Sequence, residues 1–320
     1  LQKVKRLLPK SLKNILKTVK KKSYDQWQKK LLFKKMKLKH AQLIEQAKNK
    51  KEIKVVFLAI HKSIWKVDPV FKKMLSEPLF KPVILVCPYT KYGEVRMWQD
   101  MKETREYFEE KGYPVITSFN KEKSYWLPLS EIKPDIVFFT NPHDLTRKEY
   151  YEDAYLNYLS CYVPYYFMAT THTGSDSDIL STDLLTSMWK IFSANDYVHS
   201  LSKKLSVNNG HNCYSYGYPA TEVLLTNKIN RIDTTVWKKQ KVDKKRIIFA
   251  PHHTIENTKN SLSSFLLFGE LLKKIAISNR GEIQWSFKPH PMLKSKLYIH
   301  PSWGKQKADD YFNFWETQYY

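Results

Sequence analysis

The chain has 320 residues, of which 42% are hydrophobic and 14% aromatic, so it can bury cores for two domains of ordinary size. The formal net charge is +23, but residues 1–50 hold 17 Lys and Arg against two acidic residues, a net of +15 that leaves +8 for the rest. The basic charge is concentrated in the N-terminal segment, which argues against nucleic-acid binding by the whole chain, and we expect no nucleic-acid partner.

Three well-separated cysteines, Cys87, Cys161 and Cys213, lie in apolar, strand-like settings without a CxxC pair. They predict reduced core residues of a cytosolic protein, not a disulfide framework or a zinc site. No uncharged apolar run reaches the roughly 18 residues that a membrane-spanning helix needs. The GxGxxG, GxxxxGKS/T and GxSxG patterns are absent, which argues against a dinucleotide dehydrogenase, a P-loop nucleoside triphosphatase and an α/β-hydrolase.

Residues 1–50 alternate apolar residues and lysines at helical spacing. We predict a basic amphipathic segment, broken into two helices near Pro9 and residues 20–23. A lysine-faced helix can lie in the headgroup layer of an anionic membrane, where each basic residue contributes roughly 1 kcal/mol. A solvated helix packed on the following domain and a disordered basic arm are the alternatives. Membrane contact would place the protein in the cytoplasm, peripherally on the inner face of the cell membrane.

Residues 51–226 alternate strand and helix patterns and predict an N-terminal Rossmann-like lobe. Strands are predicted at residues 53–60, 82–88, 113–117, 135–140, 162–169, 190–193 and 213–216, and helices at 67–75, 96–110, 149–159, 180–188 and 197–205. Near-continuous apolar runs separated by helices indicate a parallel sheet covered on both faces. Ligands of such sheets meet the carboxyl ends of the strands.

A polar, basic linker is predicted at residues 227–245, and a second α/β lobe at 246–320. Its strands are RIIFA and IQWSF, with an amphipathic helix at residues 261–278 between them. We expect the aromatic residues of the final segment, ADDYFNFWETQYY, to be exposed. Because two strands rarely make a stable sheet by themselves, we expect this lobe to be truncated.

Histidine and lysine side chains follow both strands of the second lobe. His252, His253 and Thr254 come after the first strand, and Lys288 and His290 after the second. The carboxyl ends of parallel strands meet at one edge, where imidazole and ammonium groups suit a pyrophosphate. Successive side chains of an extended chain point to opposite sides, so we expect only one of His252 and His253 to touch phosphate. A structural hydrogen bond is the alternative role for His290.

Histidines also follow strands of the first lobe. His172, in the segment THTG, comes after an apolar run, and an acidic loop containing Asp176 follows it. His143, in TNPHD, follows the strand at residues 135–140, and His61 follows the first strand. His172 suits a general base near neutral pH, although capping a helix or a turn is the alternative. Capping by Asn141 or Asp144 is likewise an alternative for the His143 segment.

Four segments resemble the CDP-glycerol glycerophosphotransferase family, the teichoic-acid and capsule polymerases and primases of bacteria. They are THTG at 171–174, YGYPATEVLL at 216–225, FAPHHT at 249–254 and FKPHP at 287–291, and the resemblance covers roughly residues 53–291. It implies a GT-B fold, in which two Rossmann-like lobes hold the acceptor and a CDP-activated donor. It also implies a catalytic role for His172, as base on the acceptor hydroxyl. A catalytic role for His290 is expected from its place at the pyrophosphate edge.

The function predicted from these residues is the transfer of a polyol phosphate, with release of CMP, to a hydroxyl of a lipid-linked or polymeric saccharide acceptor. His252, His253, Thr254 and Lys288 would bind the donor, His143 and Asp176 would lie on the acceptor side, and we expect no metal or other cofactor. A nucleotide-sugar glycosyltransferase of the same fold is the nearest alternative. A phosphohydrolase with a metal on His252, His253 and His290 would lack the usual carboxylates. A membrane-tethered scaffold without activity is the non-enzymatic alternative.

Overall fold

The chain forms two compact units, Leu1–Ile229 and Asn230–Tyr320. A computed structural model describes residues 10–91, 93–167, 180–225, 237–256 and 261–317, with side chains described from residue 21 onward. The predicted boundaries at residues 50, 226 and 245 stay predictions.

The first unit contains a seven-stranded sheet in the order β3-β2-β1-β6-β7-β8-β9, and all of its neighbours pair in parallel. Its strands are β1 (Ile53–Ala59), β2 (Phe80–Val86), β3 (Val115–Thr117), β6 (Ile136–Phe139), β7 (Leu159–Tyr162), β8 (Lys190–Ser193) and β9 (Cys213–Ser215). The strands β4 (Phe119–Asn120) and β5 (Tyr125–Trp126) pair separately. The helices are α1 (Lys10–Ala47), α2 (Asp68–Ser76), α3 (Glu94–Glu110), α4 (Leu129–Ile132), α5 (Glu152–Asn157), α6 (Asp183–Ser187) and α7 (Asp196–Leu205).

This sheet is covered on both faces, as predicted. Val56 and Leu58 of β1 belong to one buried cluster, and Val55 and Phe57 belong to another. Because neighbouring residues of a strand point to opposite faces, the two clusters lie on opposite sides of the sheet. Strand order reverses between β1 and β6, which are adjacent in the sheet, so the crevice at their carboxyl ends is the topological switch point.

One predicted strand was wrong in its position. We expected residues 162–169, whereas β7 is Leu159–Tyr162 and shares only Tyr162 with that range. Pro164 has no backbone N–H for a ladder hydrogen bond, and a proline inside an apolar run argues against a central strand. The apolar run therefore continues after the strand has ended.

The long helix α1 starts the described part of the first unit. It runs unbroken for 38 residues, so the predicted break at residues 20–23 is wrong. Lysine is a good helix former, and α1 contains neither Pro nor Gly to interrupt it. The C-terminal half of α1 packs on α6 and β7, where Met36 and His40 are buried. Among the described helices, none has both the length and the hydropathy needed to cross a bilayer.

The second unit pairs β10 with β11 in parallel and packs helices against them. Its elements are β10 (Lys245–Phe249), α8 (Phe265–Ser278), β11 (Ile283–Phe287), α9 (Leu293–Ile299) and α10 (Gly304–Thr317). The aromatics near the end of the chain are buried, contrary to expectation: Tyr311, Phe312 and Trp315 lie in the core of this unit. Their helical spacing places them on one face of α10, which packs against β11. The predicted α/β class, with Rossmann-like parallel units after a basic helix, is confirmed.

Candidate functional site

The loops that follow β10 and β11 are held together by backbone hydrogen bonds. Lys288 N donates to Phe249 O at 2.8 Å, and His290 N donates to Pro251 O at 2.9 Å. The parallel pairing therefore extends beyond both strand ends. It brings His290 beside the histidines that follow Pro251.

Three imidazoles converge at this edge, and we call His252, His253 and His290 the histidine cluster. The ring centroids are 4.4 Å apart for His252 and His253, 5.1 Å for His252 and His290, and 4.2 Å for His253 and His290. Both consecutive rings lie beside His290, so the alternation from which we argued does not hold here, and which ring touches phosphate stays a prediction. Ile255 N donates to His253 O at 3.0 Å, so the chain turns here and the alternation of an extended strand is lost.

Hydrogen bonds to the ring nitrogens determine the tautomers of two members of the cluster. Nδ1 of His290 accepts from Met292 N at 3.2 Å, and Nδ1 of His252 accepts from Thr254 N at 3.3 Å. A nitrogen that accepts a backbone N–H carries no hydrogen, so the hydrogen of each neutral ring lies on Nε2. His252 and His290 therefore offer Nε2–H donors to a ligand.

The third ring, that of His253, differs in the hydrogen bonding of its Nδ1. Its Nδ1 is buried and has no hydrogen-bond partner within the described residues. Buried polar atoms of this kind are normally satisfied, so an orphaned one at a cluster points to a ligand or an ordered water.

All three imidazoles are harder to protonate than an ordinary histidine. Burial, together with charge repulsion from neighbouring rings and Lys296, lowers the pKa of His253 and His290 to about 4. Burial and Lys296 also lower the pKa of His252. The rings are thus neutral near pH 7, and the positive charge that we expected of imidazoles there comes from lysines instead.

Two lysines lie on this edge, and the sequence analysis identified only one of them. Lys288 is exposed at the end of β11. Lys296, on α9, lies near enough to the rings to lower their pKa, and it forms an ion pair with Glu256. A lysine in the short helix that follows the KPHP segment was the available signal. Glu256 is not a member of the convergent group, which within the described ranges contains no carboxylate.

Thr254, expected to bind the donor, is engaged within the protein. Its Oγ1 accepts from Leu262 N at 2.9 Å and lies 2.9 Å from His252 Nδ1. Since the backbone N–H occupies the acceptor side of this hydroxyl, its own hydrogen is directed to the ring. Thr254 thus orients His252 and anchors the loop.

In the first unit, His143 lies at the topological switch point. It follows β6 and lines a crevice with Thr140 and Cys87, as well as a neighbouring cavity of about 290 Å³ whose walls include Tyr162, Pro164 and Leu185. Asn141 bonds the backbone of His143 and not its ring. Burial lowers the pKa of His143, so its ring is neutral near pH 7.

His61, after β1, is committed to ionic neighbours. Its Nε2 lies 3.6 Å from Asp100 Oδ1, which also pairs with Arg96 at 2.7 Å, and its Nδ1 accepts from Ser63 N at 3.0 Å. Its Nδ1 is therefore engaged, whereas 3.6 Å is too long for a hydrogen bond to Nε2, and burial lowers the pKa of His61. His172 and Asp176 lie outside the described residues, and their predicted roles stay predictions.

Comparison with known proteins identifies no family for the chain. No family pattern and no curated protein matches it. Similar solved structures include the UDP-GlcNAc 2-epimerase of Methanocaldococcus jannaschii in complex with UDP-GlcNAc and UDP, at 15% identity over 83% of this chain and 71% of that one, TM-score 0.46. The Neisseria meningitidis UDP-GlcNAc 2-epimerase bound to UDP-GlcNAc has 13% identity over 82% and 69%, TM-score 0.41. A Rickettsia africae glycosyltransferase has 10% identity over 78% and 71%, TM-score 0.36. Likeness at this level carries no argument about activity.

Proposed function

We propose that the chain is a transferase that binds the diphosphate of a nucleotide-activated donor at the histidine cluster. The observation that carries the proposal is the convergence of three neutral imidazoles, two of them with Nε2–H groups left for a ligand, at the carboxyl edge of a parallel sheet. N–H donors gathered at one edge suit a shared acceptor. Phosphate oxygens are such acceptors, and this edge is where α/β sheets bind ligands.

An anion fits the cluster better than a metal ion does. A histidine that binds a metal donates its other N–H to a carboxylate, a carbonyl or water. In His252 and His290, Nδ1 instead accepts from a backbone N–H. A metal on Nε2 would move the hydrogen of the ring to Nδ1, where it would point at that backbone N–H. The nearby cations, Lys288 and Lys296, also favour an anion.

The finer proposal concerns the reaction. A CDP-activated polyol would be the donor, and an acceptor hydroxyl would attack its polyol-bearing phosphorus. The bond from that phosphorus to the bridging oxygen would break, and CMP would leave with the electron pair. His172 would take the hydroxyl proton, while His290 and Lys288 would stabilise the charge that grows on CMP. His143, neutral at the switch point of the first unit, and Asp176 would lie on the acceptor side.

The runner-up is a glycosyltransferase that uses a nucleotide sugar, because the diphosphate contacts would be the same. For either reaction we propose a lipid-linked or polymeric saccharide acceptor at the inner face of the cell membrane. The basic residues 1–50 support this location.

Calorimetry with two variants of one histidine distinguishes an anion site from a metal site. His290→Gln keeps an amide N–H near the position of Nε2 but cannot serve as an imidazole ligand, and His290→Ala removes the group. We expect the affinity for inorganic pyrophosphate to fall about ten-fold or more in the Ala variant and much less in the Gln variant. Tight zinc binding by the wild type, lost equally in both variants without any effect on pyrophosphate, would contradict the proposal and favour the phosphohydrolase.

Nucleotide release from a panel of CDP-polyols and UDP-sugars, with an acceptor lipid extract present, tests the reaction. CMP release from CDP-glycerol supports the finer proposal, and UDP release supports the runner-up. His172→Ala should lower turnover by about 100-fold with donor affinity unchanged, as expected of a general base. Near-normal turnover in a folded His172→Ala protein would exclude this role.

A further inference from the structure

The helix α1 carries an apolar stripe on a face that the first unit does not cover. Tyr24, Trp27, Leu31 and Leu38 are 59%, 53%, 42% and 70% exposed. At 3.6 residues per turn, the steps of three, four and seven residues between them keep all four within roughly 60° of arc. We call these four residues the outer stripe.

The outer stripe lies opposite the face by which α1 packs. Met36 and His40 are buried, and the ring of Phe33 stacks on His211 with centroids 6.4 Å apart. On the helical wheel these inner residues are centred about half a turn away from the outer stripe. Packing in the first unit therefore explains the inner face of α1 and leaves the outer stripe in solvent.

Lysines border the outer stripe on both sides. Residues 21–39 contain eight lysines against one acidic residue, Asp25. The exposed lysines Lys30, Lys34 and Lys37 lie along one side of the stripe, and Lys21 and Lys35 along the other. Within the described residues, the ion pairs of the chain do not involve these five lysines.

We propose that the outer stripe is the surface by which the chain binds an anionic lipid bilayer. Aromatic rings with a polar edge prefer the headgroup region, and leucines insert below it. The bordering lysines would meet the negative surface while their alkyl stems follow the apolar stripe. This proposal rests on the membrane location given in the proposed function and identifies the outer stripe as the surface that contacts the bilayer. The lipid contacts do not depend on the transfer reaction.

The geometry suits a helix that lies flat. From Tyr24 to Leu38 the stripe is about 21 Å long, at 1.5 Å per residue. Because the inner face carries the first unit, α1 would lie between the bilayer and the sheet. The helix itself, roughly 10 Å across, would then separate the sheet from the headgroups.

Vesicle flotation with the full chain tests this surface. We expect binding to vesicles of phosphatidylglycerol and phosphatidylcholine, weakened by salt, and little binding to phosphatidylcholine alone. Trp27→Ala with Leu31→Ala should lower the partition coefficient roughly ten-fold or more. The matched control is Val95→Ala with Leu267→Ala, which removes two apolar side chains elsewhere that are more exposed still and should change nothing.

A second pair of variants tests the charges. Lys30→Gln with Lys34→Gln should weaken binding to the anionic vesicles several-fold, whereas Lys73→Gln with Lys102→Gln, on α2 and α3, should not. Equal flotation of the stripe variant and the wild type would overturn the proposal. So would binding to single-stranded RNA in place of vesicles. Pyrophosphate affinity, measured on the same proteins, should stay unchanged, so that failure here is distinct from failure at the histidine cluster.

Discussion

Histidines follow strands in both units of this protein, yet their surroundings differ. In the first unit, His61 has an acidic neighbour, Asp100, at 3.6 Å, and His143 lies beside the ring of Tyr165 in a cavity lined by apolar and polar residues. In the second unit, three imidazoles share one small space, and the nearby acid Glu256 is bound to Lys296. The position of a histidine at a strand end thus indicates where a ligand could bind. The partners of its ring nitrogens decide whether the ring is available to an anion.

The largest expected effect separates the two sets of histidines. His252→Ala combined with His290→Ala removes two N–H donors to a charged ligand, each worth about 1.5–3 kcal/mol. We expect the dissociation constant for pyrophosphate to rise by about 100-fold or more, measured by calorimetry. His61→Ala is the matched control and should change it less than about two-fold, because His61 does not belong to the histidine cluster and its ring lies against Asp100 and Ser63. Equal losses in the two proteins would remove the distinction drawn between the units.

A smaller effect concerns acid and the buried His40 of α1. Burial lowers the pKa of His40 to about 4 from an ordinary value of 6.5, so between these pH values the unfolded chain binds a proton that the folded chain does not. Stability is therefore complete above pH 6.5 and is lost as the pH falls toward 4. From pH 7 to pH 5 we expect the first unit to lose about 1–2 kcal/mol, measured by urea unfolding.

The comparison protein for that measurement is His40→Leu, in which the acid sensitivity should largely disappear. Added pyrophosphate should not restore the stability of the first unit at pH 5, since the proposed anion site belongs to the second unit. In the second unit, the same anion should offset acid sensitivity, because it favours the protonated form of the cluster. An unchanged pH profile in His40→Leu would show that other groups cause the loss.

The smallest expected effect tests how the cluster is held. Thr254→Val keeps the shape of the side chain but loses the hydroxyl that bonds Leu262 N and His252 Nδ1. A net hydrogen bond contributes about 1 kcal/mol, so we expect pyrophosphate affinity to fall roughly five-fold. Thr254→Ser should restore it, which a loss of packing alone would not allow. If Ser behaves like Val, Thr254 contributes packing and not orientation.

Several parts of the fold could be predicted from local pattern alone. Strand β1 could be predicted from its apolar run, and helix α1 from the helical spacing of its apolar residues and lysines, because such periodicity depends on only a few neighbouring residues. The aromatics of α10 were misjudged because the same pattern suits a solvent-facing or a buried helix. Burial of Trp315 depends on β11, with which it has no local link in the sequence.

The candidate site likewise has features that the sequence predicts and features that it does not. That His252, His253 and His290 follow two strands could be predicted from the sequence, since strand ends are local features. Three further features depend on the folded chain: both consecutive rings lie beside His290, Lys296 lies near them, and backbone N–H groups bond two Nδ1 atoms. A turn at residues 253–255 and the parallel pairing of distant strands produce these contacts. Long-range packing, and not residue type, therefore sets the tautomers and the lowered pKa values on which the anion proposal depends.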